Sequence, residues 1–569
     1  MALSKEIYAA FEAVVGKKNI SQDPGVLQTY RCRAPQSSAH YGPYDHTTPM
    51  PQAVILPGST KEVQGVVRLC NKYKIKFKCS TTFWSAHGYI GSDYAVQIDM
   101  RRMNGVEIDE KNMIAIIGPY AIAATVQAEA MKHGLTCNIP GVGCSSAIIA
   151  NTASWGGPGP SSVFTGNAYE NLMCMEYVCS SGEILETGSA GYGAGWICGE
   201  GAGPSLKAII RGGQGTRGEL GICTKMSIKL SPWPGHKTLE TVGTVPAYRA
   251  SNMENFRAYC IDCPSWEAWG KCVMKINDNN LLYLGHRQFS MFGNEVKAAM
   301  LEIITDPDKQ MADLPALMAD PVVKKNNENM AIEFHIIIAG FTAKDLAWKE
   351  AALDEILKEF GCWKDEWFLE PEHEDYLKSY LMRLGHKNLN YVMVGGYEGC
   401  FGMDAANQPH TCQLIEKAFA IHKEAQVTGT YAAAVGGDTA MGSLGGHGGG
   451  GGPMGWEFFS HFDPHDPESI KGTAEYHDRG PLKFMKEYGL GVEMGHSNAN
   501  CRKPDGYAYS QEEHNAKLST IPGTNPFIYQ WYVREYMNPN HLGDSYYETC
   551  DPEAAKNAVI DANAETGLR

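Results

Sequence analysis

No stretch of the 569-residue chain offers the roughly 20 uninterrupted apolar residues that a membrane-spanning helix requires. Positive charge is scarce as well. The 49 Lys and Arg face 64 Asp and Glu, for a formal charge of −15, so the cations needed to displace counterions from a phosphate backbone are not in excess and nucleic acid is excluded as a partner. A cleavable leader is not evident: MALSKEIYAAFEAVVGKK (1–18) has acidic residues inside a short apolar run and reads as an amphipathic helix. The expectation is a soluble, cytoplasmic protein. The 17 cysteines run from Cys32 to Cys550 without a framework spacing, which predicts reduced, mostly buried thiols and not disulfides. Neither G-x-G-x-x-G after a first strand nor G-x-x-x-x-G-K-[ST] occurs, so a Rossmann or P-loop nucleotide site is unsupported. No internal repeat is found.

What is present is an apolar fraction of 43% on a chain long enough for two or three domains. Val54 to Leu56 is a buried-strand run. After it, Ser59 with Glu62 predicts a capping box, and Val63, Val66, Val67 and Cys70 place one apolar stripe on the helix that follows. KIKFKC (74–79) is the next strand, completing a strand, helix, strand unit. MIAII (113–117) is another, followed by an Ala-rich helix stopping at Gly134. The pattern continues through strands at 175–179 and 225–230. Beyond Trp233-Pro234-Gly235 its character changes, and IEFHIII (332–338) with the helix from Thr342 to Phe360, stopped by Gly361, marks a second α/β domain. A last helix is expected from Tyr529 to Met537, ended by Asn538-Pro539-Asn540.

Three segments are rich in glycine or hydroxyl groups. STTFWSAHGYIG (80–91) follows a strand, PGVGCSSAIIANTASWGGPGPSS (140–162) lies in mid-lobe, and RGGQGTRGELGIC (211–223) precedes another strand. Loops of this kind expose backbone N–H groups that can wrap an anion such as a pyrophosphate. Each taken singly also reads as plain turn glycine.

Their order and flanks resemble the vanillyl-alcohol oxidase and p-cresol methylhydroxylase superfamily of FAD-linked oxidoreductases. PQAVILPGSTKEVQGVVRLCNKY (51–73), ENLMCMEYVCSSGEILETG (170–188) and IIRGGQGTRGELGICTKMSIKLSPWPG (209–235) carry that resemblance, which covers most of residues 50–235 and, more faintly, the C-terminus. It implies an α/β (α+β) fold: an FAD-binding domain of two α/β lobes over residues 1–235, an α/β cap over 236–500, and a segment at 501–569 returning to the FAD domain.

The resemblance also implies site residues. The loop after the second strand would cradle the FAD pyrophosphate through Ser80, Thr81, Thr82, Ser85 and Gly88, although Phe83, Trp84 and Ser85 stand where glycine and arginine are common. His87 falls where some members bond the flavin 8α-methyl group covalently; the alternative is a histidine that only hydrogen-bonds near the cofactor. Tyr89 falls where phenol-oxidising members place a substrate-contacting tyrosine; the alternative is a packing aromatic. Asn151, Thr152, Gly156 and Gly157, then Gly213, Gln214, Gly215 and the backbone of Ile222, are the remaining expected flavin contacts. In GVEMGH (491–496), Glu493 and Met494 occupy the places of a tyrosine and arginine pair before His496, and Asn167 falls near an acidic position, departures that disfavour a bound phenolate. His496, Glu493 and the His461 to His465 cluster are candidate proton acceptors, since imidazole titrates near neutrality.

No metal site is expected. Cys260, Cys263 and Cys272 have no fourth ligand at suitable spacing and read as buried thiols. His447, within the glycine run 445–452, reads as part of a loop that would form a mobile lid. The implied activity is hydride transfer from a hydroxyl- or phenol-bearing small molecule to flavin N5. The electron acceptor is left open among O2, a cytochrome, a quinone and an electron-transferring flavoprotein, and a homo-oligomer, a dimer by family habit, is expected. Two alternatives remain: an electron-relaying or reductase subunit of a larger redox complex, and a redox-neutral FAD-dependent synthase.

Overall fold

A computed structural model describes residues 3–31, 49–83, 88–90, 92, 94–140, 143–155, 159–201, 207, 220–242, 249–288, 332–382, 397–405, 440–443, 454–461, 537–540 and 542–543. The N-terminal amphipathic segment is a helix, Lys5–Val15, that buries Phe11 and Val15. Four strands then form the first sheet: β1 (Ile20–Ser21), β2 (Val54–Ile55), β3 (Lys76–Ser80) and β4 (Ala95–Asp99), in the order β1-β2-β4-β3 with β2 and β3 parallel to β4. The helix Thr60–Tyr73 makes the crossover from β2 to β3, and Val63, Val66, Val67 and Cys70 are fully buried, as the stripe predicts. Ser59 Oγ accepts from Glu62 N–H, but the Glu62 carboxylate reaches back one residue further than a capping box requires, to Gly58 N–H at 2.8 Å. Arg102, 3.1 Å from the same oxygen, fixes it there.

The second lobe is an antiparallel sheet of β5 (Val106–Asp109), β6 (Ile114–Ile117), β8 (Leu172–Cys179), β9 (Ile184–Glu186) and β10 (Gly221–Lys229), ordered β5-β6-β10-β8-β9. The helix Ala123–Lys132 lays Val126 and Ala130 on it. That helix ends through His133, with Gly134 at a φ of +70° where L-residues are disfavoured. Two short pairs follow, β7 (Leu135–Thr136) with β11 (Ser231–Pro232), and β12 (Thr241–Val242) with β13 (Arg249–Ala250).

The third sheet has seven strands: β14 (Phe256–Asp262), β15 (Leu284–Gln288), β16 (Glu333–Ala339), β17 (Trp363–Lys364), β18 (Tyr397–Ala405), β19 (Ala440–Ser443) and β20 (Met454–His461), ordered β17-β14-β16-β15-β19-β20-β18. All its pairings are antiparallel, so this part is α+β in the strict sense, with helices laid on a sheet rather than wound through it. On one face Ile261, Phe334, Ile336 and Ile338 pack against the helices Trp266–Asp278 and Ala343–Phe360. The other face takes the helix Pro371–Met382 through Leu377 and Leu381. Thr342 caps and Gly361 ends the helix Ala343–Phe360, as its sequence predicts.

Residues from the end of the chain return to both lobes. Phe77 N–H donates to Leu542 O at 2.9 Å, and Ser180 Oγ donates to Met537 O at 2.7 Å. Of the expected helix from Tyr529, only Met537 lies within the described residues.

Candidate functional site

The loop leaving β3 is drawn closed. Ser80 is buried at the strand end, and Gly88 sits so near it that a Cβ there would stand 2.5 Å from Ser80 Oγ. Gln97 Nε2 donates both to Lys78 O, at 3.1 Å, and to Gly88 O, at 3.0 Å, tying the start of the loop to its end. Between them Phe83 adopts a φ of +52°, and its ring lies 5.5 Å from Tyr30 and 5.0 Å from Tyr89. Tyr89 therefore has a packing partner, whatever else it contacts. The loop base rests on a buried charge: Asp99, in register with Ser80, takes the Tyr30 hydroxyl at 2.7 Å and Arg101 Nε at 2.7 Å.

The second segment meets the first. Ala147 N–H donates to Thr82 Oγ1 at 3.3 Å, across a sequence gap of 65 residues. Gly143, at a φ of +123°, turns the chain into this contact, and the helix Ile148–Ala150 runs on into a wider π turn, Asn151–Trp155. Thr152 is buried. Asn151 Nδ2 and Ser145 Oγ are buried with no hydrogen-bond partner among the described residues. A buried donor left in this state costs free energy unless something else takes its proton. The second loop thus presents two buried donors whose acceptor the described residues do not supply.

Ile222 lies in β10 opposite Val178, with its side chain in the first lobe's core, so that only its backbone is left for a ligand. Asn167 is absorbed by local structure: it precedes the turn 168–171, donates its N–H to Glu170 Oε2 at 2.6 Å and its Nδ2 to Tyr169 Oη at 3.4 Å. His461 ends β20 opposite Tyr397. Ser85, His87, Gly156, Gly157, Gly213, Gln214, Gly215, His447, Glu493 and His496 lie outside the described residues.

The cysteines whose side chains are described are mostly buried, and each is a thiol outside any disulfide. Burial, only partly offset by a backbone hydrogen bond, pushes the Cys137 thiol up to about 12, which removes it as a nucleophile at neutral pH. A cavity of about 10 Å³ between the second lobe and the seven-stranded sheet is lined by Gln127, Thr136, Pro160, Tyr283, Leu381 and Met382. It has room for one water and not for a substrate, and Gln127 Nε2, buried without a hydrogen-bond partner among the described residues, is its natural donor.

Residues 51–188 match the FAD binding domain family. A solved p-cresol methylhydroxylase with substrate bound superposes over 96% of this chain and 97% of its own, with a TM-score of 0.66 at 16% identity. The fold is that of p-cresol methylhydroxylase. An alkyldihydroxyacetonephosphate synthase shares it at a TM-score of 0.57 and 14% identity, over 96% of this chain and 85% of that one. In sequence, the flavoprotein subunit of 4-cresol dehydrogenase (hydroxylating) from Pseudomonas putida is 27% identical over 233 residues, 39% of this chain and 42% of the relative. A D-lactate dehydrogenase from Archaeoglobus fulgidus is 24% identical over 197 residues, 33% of this chain and 42% of the relative. The matched part thus spans about two fifths of these curated relatives. Within the p-cresol methylhydroxylase fold, both converging loops fall inside the matched FAD binding domain.

Sequence reading missed Tyr30, Gln97 and Asp99, which shape the first loop without belonging to it. The signal available for Asp99 was its place at the end of a fully buried strand, AVQID, where a charge requires partners.

Proposed function

We propose that the chain is an FAD-dependent oxidoreductase that removes a hydride from a hydroxyl- or phenol-bearing small molecule. The observation that carries this reading is the convergence of the loops at 80–90 and 143–155, with Asn151 Nδ2 and Ser145 Oγ presented as buried donors inside the matched FAD binding domain. When bound, FAD supplies the two-electron acceptor at its N5. Ser80, Thr81, Thr82, Gly88, Asn151 and Thr152 would hold it, joined by Ser85, Gly156, Gly157, Gly213, Gln214, Gly215 and the Ile222 backbone. His87 would be its covalent anchor. Tyr89, fixed by Phe83, faces the substrate. The hydroxyl proton must go to a base as the hydride leaves, and His496, Glu493 and His461 are the candidates, an imidazole being matched to neutral pH. O2, a cytochrome, a quinone or an electron-transferring flavoprotein then takes the electrons. No helix among the described residues is long and apolar enough to cross a membrane; a cytoplasmic homodimer completes the proposal.

The test is the visible spectrum of the purified protein before and after acid precipitation, then anaerobic addition of 4-alkylphenols and of D-2-hydroxy acids. Flavin absorbance retained in the pellet and lost in His87→Ala supports the covalent anchor, and bleaching by either substrate class supports the activity. Absence of flavin from folded, cofactor-supplied protein overturns the reading. The shared fold of the alkyldihydroxyacetonephosphate synthase supports a redox-neutral alternative, for which the flavin would stay oxidised through turnover. Reduction by a partner protein but by no small molecule would favour an electron-relaying subunit instead.

A further inference from the structure

The antiparallel register of the seven-stranded sheet brings three metal-ligating side chains together that are far apart in sequence. Cys260 on β14 stands directly opposite His335 on β16, and directly opposed residues project from the same face. Glu333, two residues before His335 on the same strand, shares that face too. All three are buried, and one ligand atom from each lies within 4.8 Å of the others. Cys260 Sγ is 3.5 Å from Glu333 Oε2, and His335 Nε2 is 3.6 Å from Glu333 Oε1. Around a tetrahedral zinc, the usual Zn–S and Zn–N or Zn–O lengths separate neighbouring ligand atoms by about 3.3–3.6 Å. The observed spacings therefore need little adjustment beyond a rotation of the carboxylate.

We propose that Cys260, Glu333 and His335 form a binding site for a single divalent cation of the zinc class. A thiolate, an imidazole and a carboxylate are a borderline-soft donor set that favours Zn²⁺ over Mg²⁺ or Ca²⁺, which take oxygen ligands. The charges agree as well, since a thiolate and a carboxylate together neutralise a dication in a place with little water. His286, opposite His335 on β15 and also buried, stands on the same face at the next strand and is a candidate further nitrogen ligand. The site pins β14 to β16, the second and third strands from one edge of the seven-stranded sheet, on the face that carries the helix Pro371–Met382, and is independent of the flavin reading. It escaped sequence reading because its ligands are separated by 73 residues from Cys260 to Glu333 and assembled only by strand pairing.

The test uses the full-length protein, stripped with chelator, dialysed against Zn²⁺ and then against metal-free buffer, with zinc counted by elemental analysis. Co²⁺ added to a second stripped sample reports a thiolate ligand through its charge-transfer absorption. One retained Zn²⁺ per chain with a thiolate-to-cobalt band is expected, as is weakening of binding by more than about 100-fold in Cys260→Ser and His335→Gln. Cys272→Ser, on the opposite face of the sheet, should bind as the parent does. Far-UV circular dichroism shows which variants are folded; if neither ligand variant folds, the cobalt band in the parent decides. Absence of retained zinc, absence of the band, or unchanged binding in the folded ligand variants would overturn the proposal.

Discussion

The Tyr30 hydroxyl donates to the carboxylate of Asp99 at 2.7 Å, between residues 69 positions apart. Asp99 has no solvent exposure, and its other partner, Arg101, is half exposed. A buried carboxylate loses most when a donor is deleted and nothing replaces it. Tyr30→Phe is therefore expected to destabilise the protein by about 1–2 kcal/mol, the arginine retaining part of the interaction. Urea unfolding measures it. Equal midpoints for parent and variant would mean that Arg101 alone satisfies the charge.

Asn151 makes a different kind of prediction, because its buried Nδ2 has no protein partner among the described residues. If the cofactor supplies the acceptor, Asn151→Leu should leave the flavin-free protein as stable as the parent or slightly more so. FAD binding should weaken by about five-fold, the worth of a net hydrogen bond near 1 kcal/mol. Thermal unfolding of the apoprotein and a flavin-fluorescence titration separate the two effects. A variant whose apoprotein is destabilised while its FAD affinity is unchanged would assign the amide a structural role instead.

Gly221 opens β10 at a φ of +148°, and a Cβ at that position would run into Val178 O and the Tyr177 ring. Both the backbone conformation and the close approach exclude a side chain. Gly221→Ala should cost about 1–3 kcal/mol from backbone conformation alone, with the collision adding to it. A lowered thermal midpoint is the expected result. An unchanged one would mean that β10 can shift away from β8 without loss.

Local signals made single helices legible. The stripe Val63, Val66, Val67 and Cys70 has helical period and is fully buried, and Thr342 with Gly361 bounds its helix as caps should. Pairing partners were not legible. IEFHIII reads as a strand before a helix, and nothing local says that its neighbours, β14 and β15, both run antiparallel to it. The same limit hid Asp99's partner and Cys362, which lies 3.4 Å from Cys263 although no spacing rule joins them. At the loops 80–90 and 143–155, composition marked both segments as rich in hydroxyl groups and glycine. The contact between Thr82 and Ala147 depends on how two lobes meet, which no single segment encodes.

Leu542 gives the last prediction. β3 is the outer strand of the first sheet, and an outer strand has backbone groups to satisfy. The chain end supplies a partner: Gly543 bridges to Phe77 in parallel, Phe77 N–H bonds Leu542 O, and the Leu542 side chain enters the core beside Phe77 and Val67. Asn538 holds this turn by accepting from Gly543 N–H at 3.0 Å and donating to Gly543 O at 3.1 Å. Truncating a buried leucine removes transfer free energy and leaves a cavity, so Leu542→Ala should cost about 2–4 kcal/mol. Leu369→Ala, at a position 48% exposed, is the matched control and should change stability by less than about 0.5 kcal/mol. Amide exchange at Phe77 should also accelerate in Leu542→Ala, because the bond to the returning segment would open more often. If Leu542→Ala matched Leu369→Ala in both measurements, the chain end would be resting on the first lobe without stabilising it.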